Sequence, residues 1–257
     1  MAAYEHLTVE ARGEHTWVTL DRPARRNALS WGMLQDLHKA LTEVAGSPAT
    51  GIVLAADGPV FCTGHDFADV LAADADEVRK LLELCTEVMQ LVHAVPQVVI
   101  ARVHALAVAA GCQLVASCDL AVAAQSAGFA LPGGKGGWFC HTPAVAVARS
   151  VGRKRLMEMA LTGDVIDART AADWGLVNRA VPDPELDAAV EDLLARATRG
   201  SRASKALGKQ ALYAQLDRPE ADAYEIACEV MADSSRSPAA REGIASFLEK
   251  RKPEWPE

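Results

Sequence analysis

The sequence predicts an α/β fold that gives way to a helical C-terminal region, and three observations predict it. Short apolar runs rich in β-branched residues alternate with amphipathic helical stretches through residue 182. The runs are brief and joined by turns, which suggests a spiral of strands rather than one open sheet. Beyond Pro182-Asp183-Pro184, the sharpest break in composition, only helical periodicity is left. The expected division is a spiral core over 1–182 and a helical region over 183–257.

The elements follow in order. Residues 7–10 and 16–20 alternate apolar with polar positions around Arg12-Gly13-Glu14 and read as a hairpin, ended by Asp21-Arg22-Pro23. Ser30 is placed to cap a helix carrying Met33, Leu34, Leu37, Leu41 and Val44 at helical spacing, and 51–55 forms a short buried strand. A loop over 58–66 leads to a long helix over 76–92, whose stripe of Val78, Leu81, Leu82, Cys85, Val88, Met89 and Val92 stops before Pro96. Residues 98–103 read as a buried strand, 111–117 as a helix behind a glycine turn, 119–123 as a strand and 129–131 as a very short one. Helices at 144–151, 153–161 and 168–174 precede a strand at 177–181. Amphipathic helices then cover 186–197, 203–215, 220–233 and 238–250, with Ile226, Val230, Ile244, Phe247 and Leu248 on faces suited to burial between subunits.

Composition narrows the function. A chain of 257 residues, half of them hydrophobic, can bury a large core. Its 34 acidic against 26 basic residues give a formal charge of -8, without a basic stripe, so nucleic acid is not an expected partner. That charge does not exclude an anionic ligand, because helix N-termini and a few local cations suffice to bind phosphate. The six cysteines lie scattered in apolar segments without a paired framework or histidines at ligand spacing, so they read as reduced, intracellular and metal-free. No secretory signal opens the sequence and no apolar run spans a bilayer, so a cytoplasmic protein with no membrane contact is expected.

Two segments suit carbonyl chemistry. In Phe61-Cys62-Thr63-Gly64-His65-Asp66 the glycine lets the backbone turn so that neighbouring N–H groups point away from the sheet. In Ala109-Ala110-Gly111 the start of a helix leaves N–H groups without intrahelical partners. Two such donors aimed at one thioester oxygen would stabilise an enolate or tetrahedral oxyanion, and losing one such donor lowers a rate by about 10² to 10³.

With the surrounding blocks, the chain resembles the crotonase (enoyl-CoA hydratase/isomerase) superfamily from about Glu14 to Trp255. The matching marks are Arg22-Pro23 with Asn27-Ala28-Leu29, the Phe61 to Asp66 block, Ala109 to Asp119 with Leu120-Ala121-Val122-Ala123, Ala127 to Pro132, Leu161-Thr162-Gly163-Asp164, Ala168 to Val177, and Phe247 to Lys252. Its Ala-Ala-Gly-Cys-Gln-Leu stretch is similar to the subgroup called enoyl-CoA hydratase domain-containing protein 3. The resemblance implies an α/β crotonase-type spiral of ββα turns with a helical C-terminal trimerisation region, assembled as a homotrimer or a dimer of trimers. It implies no permanently bound cofactor and a coenzyme A thioester as substrate or ligand. It further implies that the backbone N–H groups of His65 and Ala110 form an oxyanion hole. By the same resemblance Arg25, Ala28, His65, Asp66 and Phe67 border the CoA moiety, and Phe247 and Lys250 of a neighbouring copy close the ligand site.

The chain departs from the family where the chemistry happens. Family hydratases carry glutamates at the positions of Gln113 and Gly133, which together position water and move its proton. An amide takes no proton near neutral pH and glycine has no side chain. Positioned acid–base groups contribute about 10² to 10⁴ each, so losing both raises the barrier by about 5 to 11 kcal/mol if the effects add, and less if the pair acts as a unit. His141 is the candidate substitute base, weighed against a histidine that merely starts a helix. Cys140 is weighed as a nucleophile against a wall residue, with Trp138 and Phe139 shaping the pocket. The His65 side chain either touches CoA or covers its loop, and His104 reads as structural. The leading expectation is an acyl-CoA-binding lyase or isomerase of this family with ordinary hydration weakened or lost. The alternatives are a catalytically silent acyl-CoA-binding subunit and a bicarbonate-assisted enzyme of the naphthoate-synthase kind.

Overall fold

A computed structural model describes residues 4–256. β1 (Leu7–Arg12) pairs antiparallel with β2 (His15–Leu20), as the alternation around Gly13 predicts. β2 then starts a parallel series through β3 (Gly51–Ala56), β4 (Val98–Val103), β6 (Leu120–Ala124) and β9 (Arg179–Val181). β3 is buried at every position, as a central parallel strand covered on both faces must be.

A second, smaller sheet holds β5 (Ala107–Val108), β7 (Gly128–Ala130) and β8 (Ile166–Asp167). Single bridges from Leu29 to His65 and from Cys62 to Ala107 extend it. Successive passes of the chain thus add a strand to the large sheet and then one to the small sheet, which is the predicted spiral of ββα turns.

Helices close each turn. α1 (Trp31–Ala45) starts at Ser30, whose hydroxyl accepts from the Met33 N–H. α2 (Phe67–Ala72) lies outside the predicted elements. Asp66, accepting from Ala68 N–H, starts it, and its six residues are too few to show helical periodicity. α3 (Ala75–Ala94) begins with a capping box between Asp74 and Glu77. α4 (Ala110–Ser117), α5 (His141–Val151), α6 (Arg153–Thr162) and α7 (Ala168–Trp174) follow. The predicted strand over 177–181 shrinks to 179–181, because the N–H groups of Leu176 and Val177 turn back onto the Ala171 carbonyl to close α7 behind a left-handed Gly175.

The main core lies between the sheets and α1, α3 and α4. A second cluster joins Trp17, Val53, Ile100 and Val122 to Leu186, Val190 and Leu194 of α8 (Leu186–Thr198). The compositional break at 182 is therefore not a break in packing, since α8 completes the far face of the large sheet. α9 (Arg202–Gln215) is fastened to the core by Lys209, whose Nζ donates to the carbonyls of Val92 and Gln97 at 2.8 Å each and pairs with Asp119 at 2.8 Å. α10 (Glu220–Ser234) buries no residue in this chain and α11 (Pro238–Glu249) only Ala239 and Ser246. No described helix is long and apolar enough to cross a membrane.

Candidate active site

The site lies where the small sheet meets the start of α4. Gly64 takes a left-handed φ of 87°, and a Cβ there would stand 2.9 Å from Ala109 Cβ and 3.1 Å from Ala110 N, so the two turns touch through this glycine. In the second turn Ala109 holds a positive φ (50°). Gly111 is needed for proximity, because a Cβ would meet the Cys62 carbonyl oxygen at 2.4 Å. An alanine held at positive φ stores strain of order 1–3 kcal/mol, a feature that clusters at functional sites.

Neither the His65 N–H nor the Ala110 N–H donates to an acceptor among the described residues, although their neighbours do. Beside His65, Leu29 N–H donates to Gly64 O and Asp66 N–H to Leu29 O, and Ala109 N–H donates to Ala130 O. Both residues line one cavity of about 430 Å³. Its apolar walls come from Phe67, Leu82, Pro132, Trp138 and Phe139, with Gly133, Cys140 and His141 at one side. Phe67 and Trp138 meet edge to face at 6.2 Å, and His141 sits 5.0 Å from Phe139.

The sequence-predicted residues sort by position. His65, Phe67, Ala110, Gly133 and His141 share this cavity. Gln113 is buried and lines a neighbouring chamber instead. Arg25, Ala28 and Asp66 do not line the cavity. Asp66 is occupied: it accepts from Arg25 at 2.9 and 3.1 Å, from Ala68 N–H at 3.1 Å, and pairs with Arg22 at 3.3 Å. Burial opposes its ionisation, but these donors outweigh it and hold the carboxyl below its ordinary value. Asp66 thus shapes the loop, and its carboxylate has no free side for a ligand. Phe247 and Lys250, at the end of α11, do not line the cavity of their own chain.

Three further findings adjust the expectations. A Cβ at Gly133 would fall 2.1 Å from the Trp138 carbonyl oxygen and 2.8 Å from Cys140 Sγ, so the loop has closed over the place of the second glutamate. Burial pushes the Cys140 thiol up, only partly opposed by the Gly133 N–H, which argues against the nucleophile and for the wall residue. His65 is buried with both ring nitrogens unpartnered among the described residues, and burial lowers its pKa. Sequence reasoning missed Thr63, Leu82 and Lys135 as cavity residues, since only the fold brings them together. Among the described residues no cluster of three or more His, Cys, Asp or Glu could hold a metal.

This arrangement defines the class. A family model described as enoyl-CoA hydratase/isomerase matches residues 13–257, and the chain belongs to that family. It is 42% identical to the Mus musculus protein named enoyl-CoA hydratase domain-containing protein 3, mitochondrial, over 240 residues, 93% of this chain and 80% of that one. Among solved structures it superposes on an enoyl-CoA hydratase of Mycobacterium smegmatis with a TM-score of 0.94 at 43% identity, covering 97% of this chain and 98% of that one. It superposes equally, at 0.94, on human enoyl-CoA hydratase domain-containing protein 3, at 38% identity, covering 98% and 100%. The fold is therefore the crotonase fold.

These relatives correct the cytoplasmic expectation. The mouse and human proteins are named mitochondrial, which points away from the cytoplasm. The expectation rested on the lack of an apolar signal, and that lack is uninformative because mitochondrial transit peptides are amphipathic and Arg-rich rather than apolar.

Proposed function

We propose that this chain binds an acyl-CoA thioester in the 430 Å³ cavity and polarises its carbonyl with the N–H groups of His65 and Ala110, in a reaction other than ordinary hydration. The observation that carries the reading is the pair of N–H groups, without an acceptor among the described residues, on two residues that line one largely apolar cavity. Donors held in place before the reaction act on the charge that develops on the oxygen without any reorganisation. The ring of His141 is the titratable group best placed to move a proton, being exposed at the cavity wall where α5 begins. The bicarbonate reading loses its support at Gly133, since the Trp138 carbonyl and Cys140 Sγ already occupy the adjoining space.

The test is a broad acyl-CoA panel followed by mass spectrometry, with crotonyl-CoA as reference. The expected outcome is saturable thioester binding, crotonyl-CoA hydration at least about 10²-fold slower than in glutamate-bearing relatives, and a product from another thioester that is lost in His141→Ala. Hydration at the relatives' rate contradicts the reading. Binding without any product across the panel favours the silent subunit.

A further inference from the structure

Ala109, the residue ahead of α4, has φ 50° and ψ -121°. Glycine enters that region without steric cost, whereas an L side chain is crowded there, and the ψ lies far from the small left-handed basin that other residues visit. Hydrogen bonds on both sides fix the conformation. Val108 N–H donates to the Cys62 carbonyl, Ala109 N–H to the Ala130 carbonyl, and the Ala109 carbonyl accepts from Gln113 N–H, each at 3.0 Å. The backbone therefore turns from β5 into α4 at one residue, and that residue carries a methyl where glycine would be unstrained.

The methyl makes a contact that sets it against its crowding. Residues 62–64 and 108–111 run backbone against backbone. At the Cys62 end they touch directly, since a Cβ on Gly111 would lie 2.4 Å from the Cys62 carbonyl oxygen. At the Gly64 end the Ala109 methyl stands between them, so close that a Cβ on Gly64 would lie 2.9 Å from it.

These two touching residues each precede one of the donors. His65 follows Gly64 and Ala110 follows Ala109, and Ala109 itself lines the cavity with both donor residues. A change in the gap between Gly64 and Ala109 thus moves the two N–H groups relative to each other. In a site that aims two groups at one atom, a misplacement of about 1 Å can lower a rate by about 10²-fold.

We propose that Ala109 is a positioning residue, whose methyl, held at a strained φ, is the spacer that sets the separation of the His65 and Ala110 amides. The inference rests on the acyl-CoA reading above and adds to it the residue that aims the donors.

The test is Ala109→Gly, which removes the spacer and the strain together, so that stability and recognition of the carbonyl are expected to move in opposite directions. Butyryl-CoA and S-butyl-CoA, a thioether with a methylene in place of the carbonyl, are titrated calorimetrically into the full chain and the variant. Neither ligand has a double bond to hydrate, so binding is read apart from turnover. Each net hydrogen bond contributes a factor of about 2 to 12 in affinity, so the unsubstituted protein is expected to prefer butyryl-CoA by about tenfold. In Ala109→Gly that preference should fall by about threefold or more, and the ¹³C carbonyl band of bound butyryl-CoA should shift less from its position in water. The melting temperature should stay the same or rise. A lower melting temperature overturns the claim of strain. An unchanged preference with an unchanged carbonyl band overturns the spacer while leaving the acyl-CoA reading standing. Equal binding of the two ligands by the unsubstituted protein, or binding of neither, overturns that reading and the inference with it.

Discussion

At the scale of single residues, glycine and histidine decide the account. Restoring a glutamate at Gly133 should not restore hydration. Its Cβ would collide with the Trp138 carbonyl, so the loop must move before any carboxylate can reach the cavity. Gly133→Glu is expected to lose about 1–3 kcal/mol of stability by overpacking and to gain no crotonyl-CoA hydration, read by denaturant melts and a coupled assay. His65 and His93 carry a pH signature. Burial is the leading cause that holds each below its ordinary value of 6.5. The unfolded chain therefore binds more protons just below pH 6.5, so stability is full above that value and falls as pH drops toward the depressed folded values. Melting temperatures taken from pH 7.5 to 5.5 should show this slope, and it should flatten in His65→Gln with His93→Gln.

At the scale of elements, legibility followed periodicity. α1 and α3 were readable because Ser30 caps one and a full apolar stripe runs along the other. α2 and β8 were not, since six and two residues give no period to count. The same limit applies to the site. Phe61 to Asp66 and Ala109 to Gly111 pointed to two amide donors, but only the fold shows Gly64 joining the turns and the strain at Ala109. Gln113 could be read as a missing acid, yet its direction into a second chamber could not, because neighbouring helices define that chamber. The fastening of α9 was equally hidden. Lys209 is buried against Asp119, and Tyr213 and Val99 also donate to that carboxylate. Asp119→Asn strands the ammonium among carbonyls and is expected to destabilise the protein by about 3–5 kcal/mol, measured by chemical denaturation.

At the scale of the whole molecule, the spiral explains why one cavity can collect residues from distant parts of the chain. Each pass through the small sheet places a turn beside the previous one, so Thr63 to Phe67, Ala109-Ala110 and Pro132 to Pro143 converge. The C-terminal helices remain largely unburied, with Leu216, Tyr224, Met231, Ile244, Phe247 and Leu248 exposed. Apolar area of that extent favours association. Sedimentation equilibrium at micromolar concentration is expected to give a mass at least three times that of the chain, and a monomer would reject the expectation.

The most direct test is difference infrared spectroscopy of crotonyl-CoA carrying a ¹³C thioester carbonyl. Bound to this protein, the band should move to lower frequency as the amides of His65 and Ala110 polarise it, and should persist without conversion to the hydrated product. An unshifted band, or rapid loss of the enoyl signal at the rate of glutamate-bearing relatives, would contradict the account.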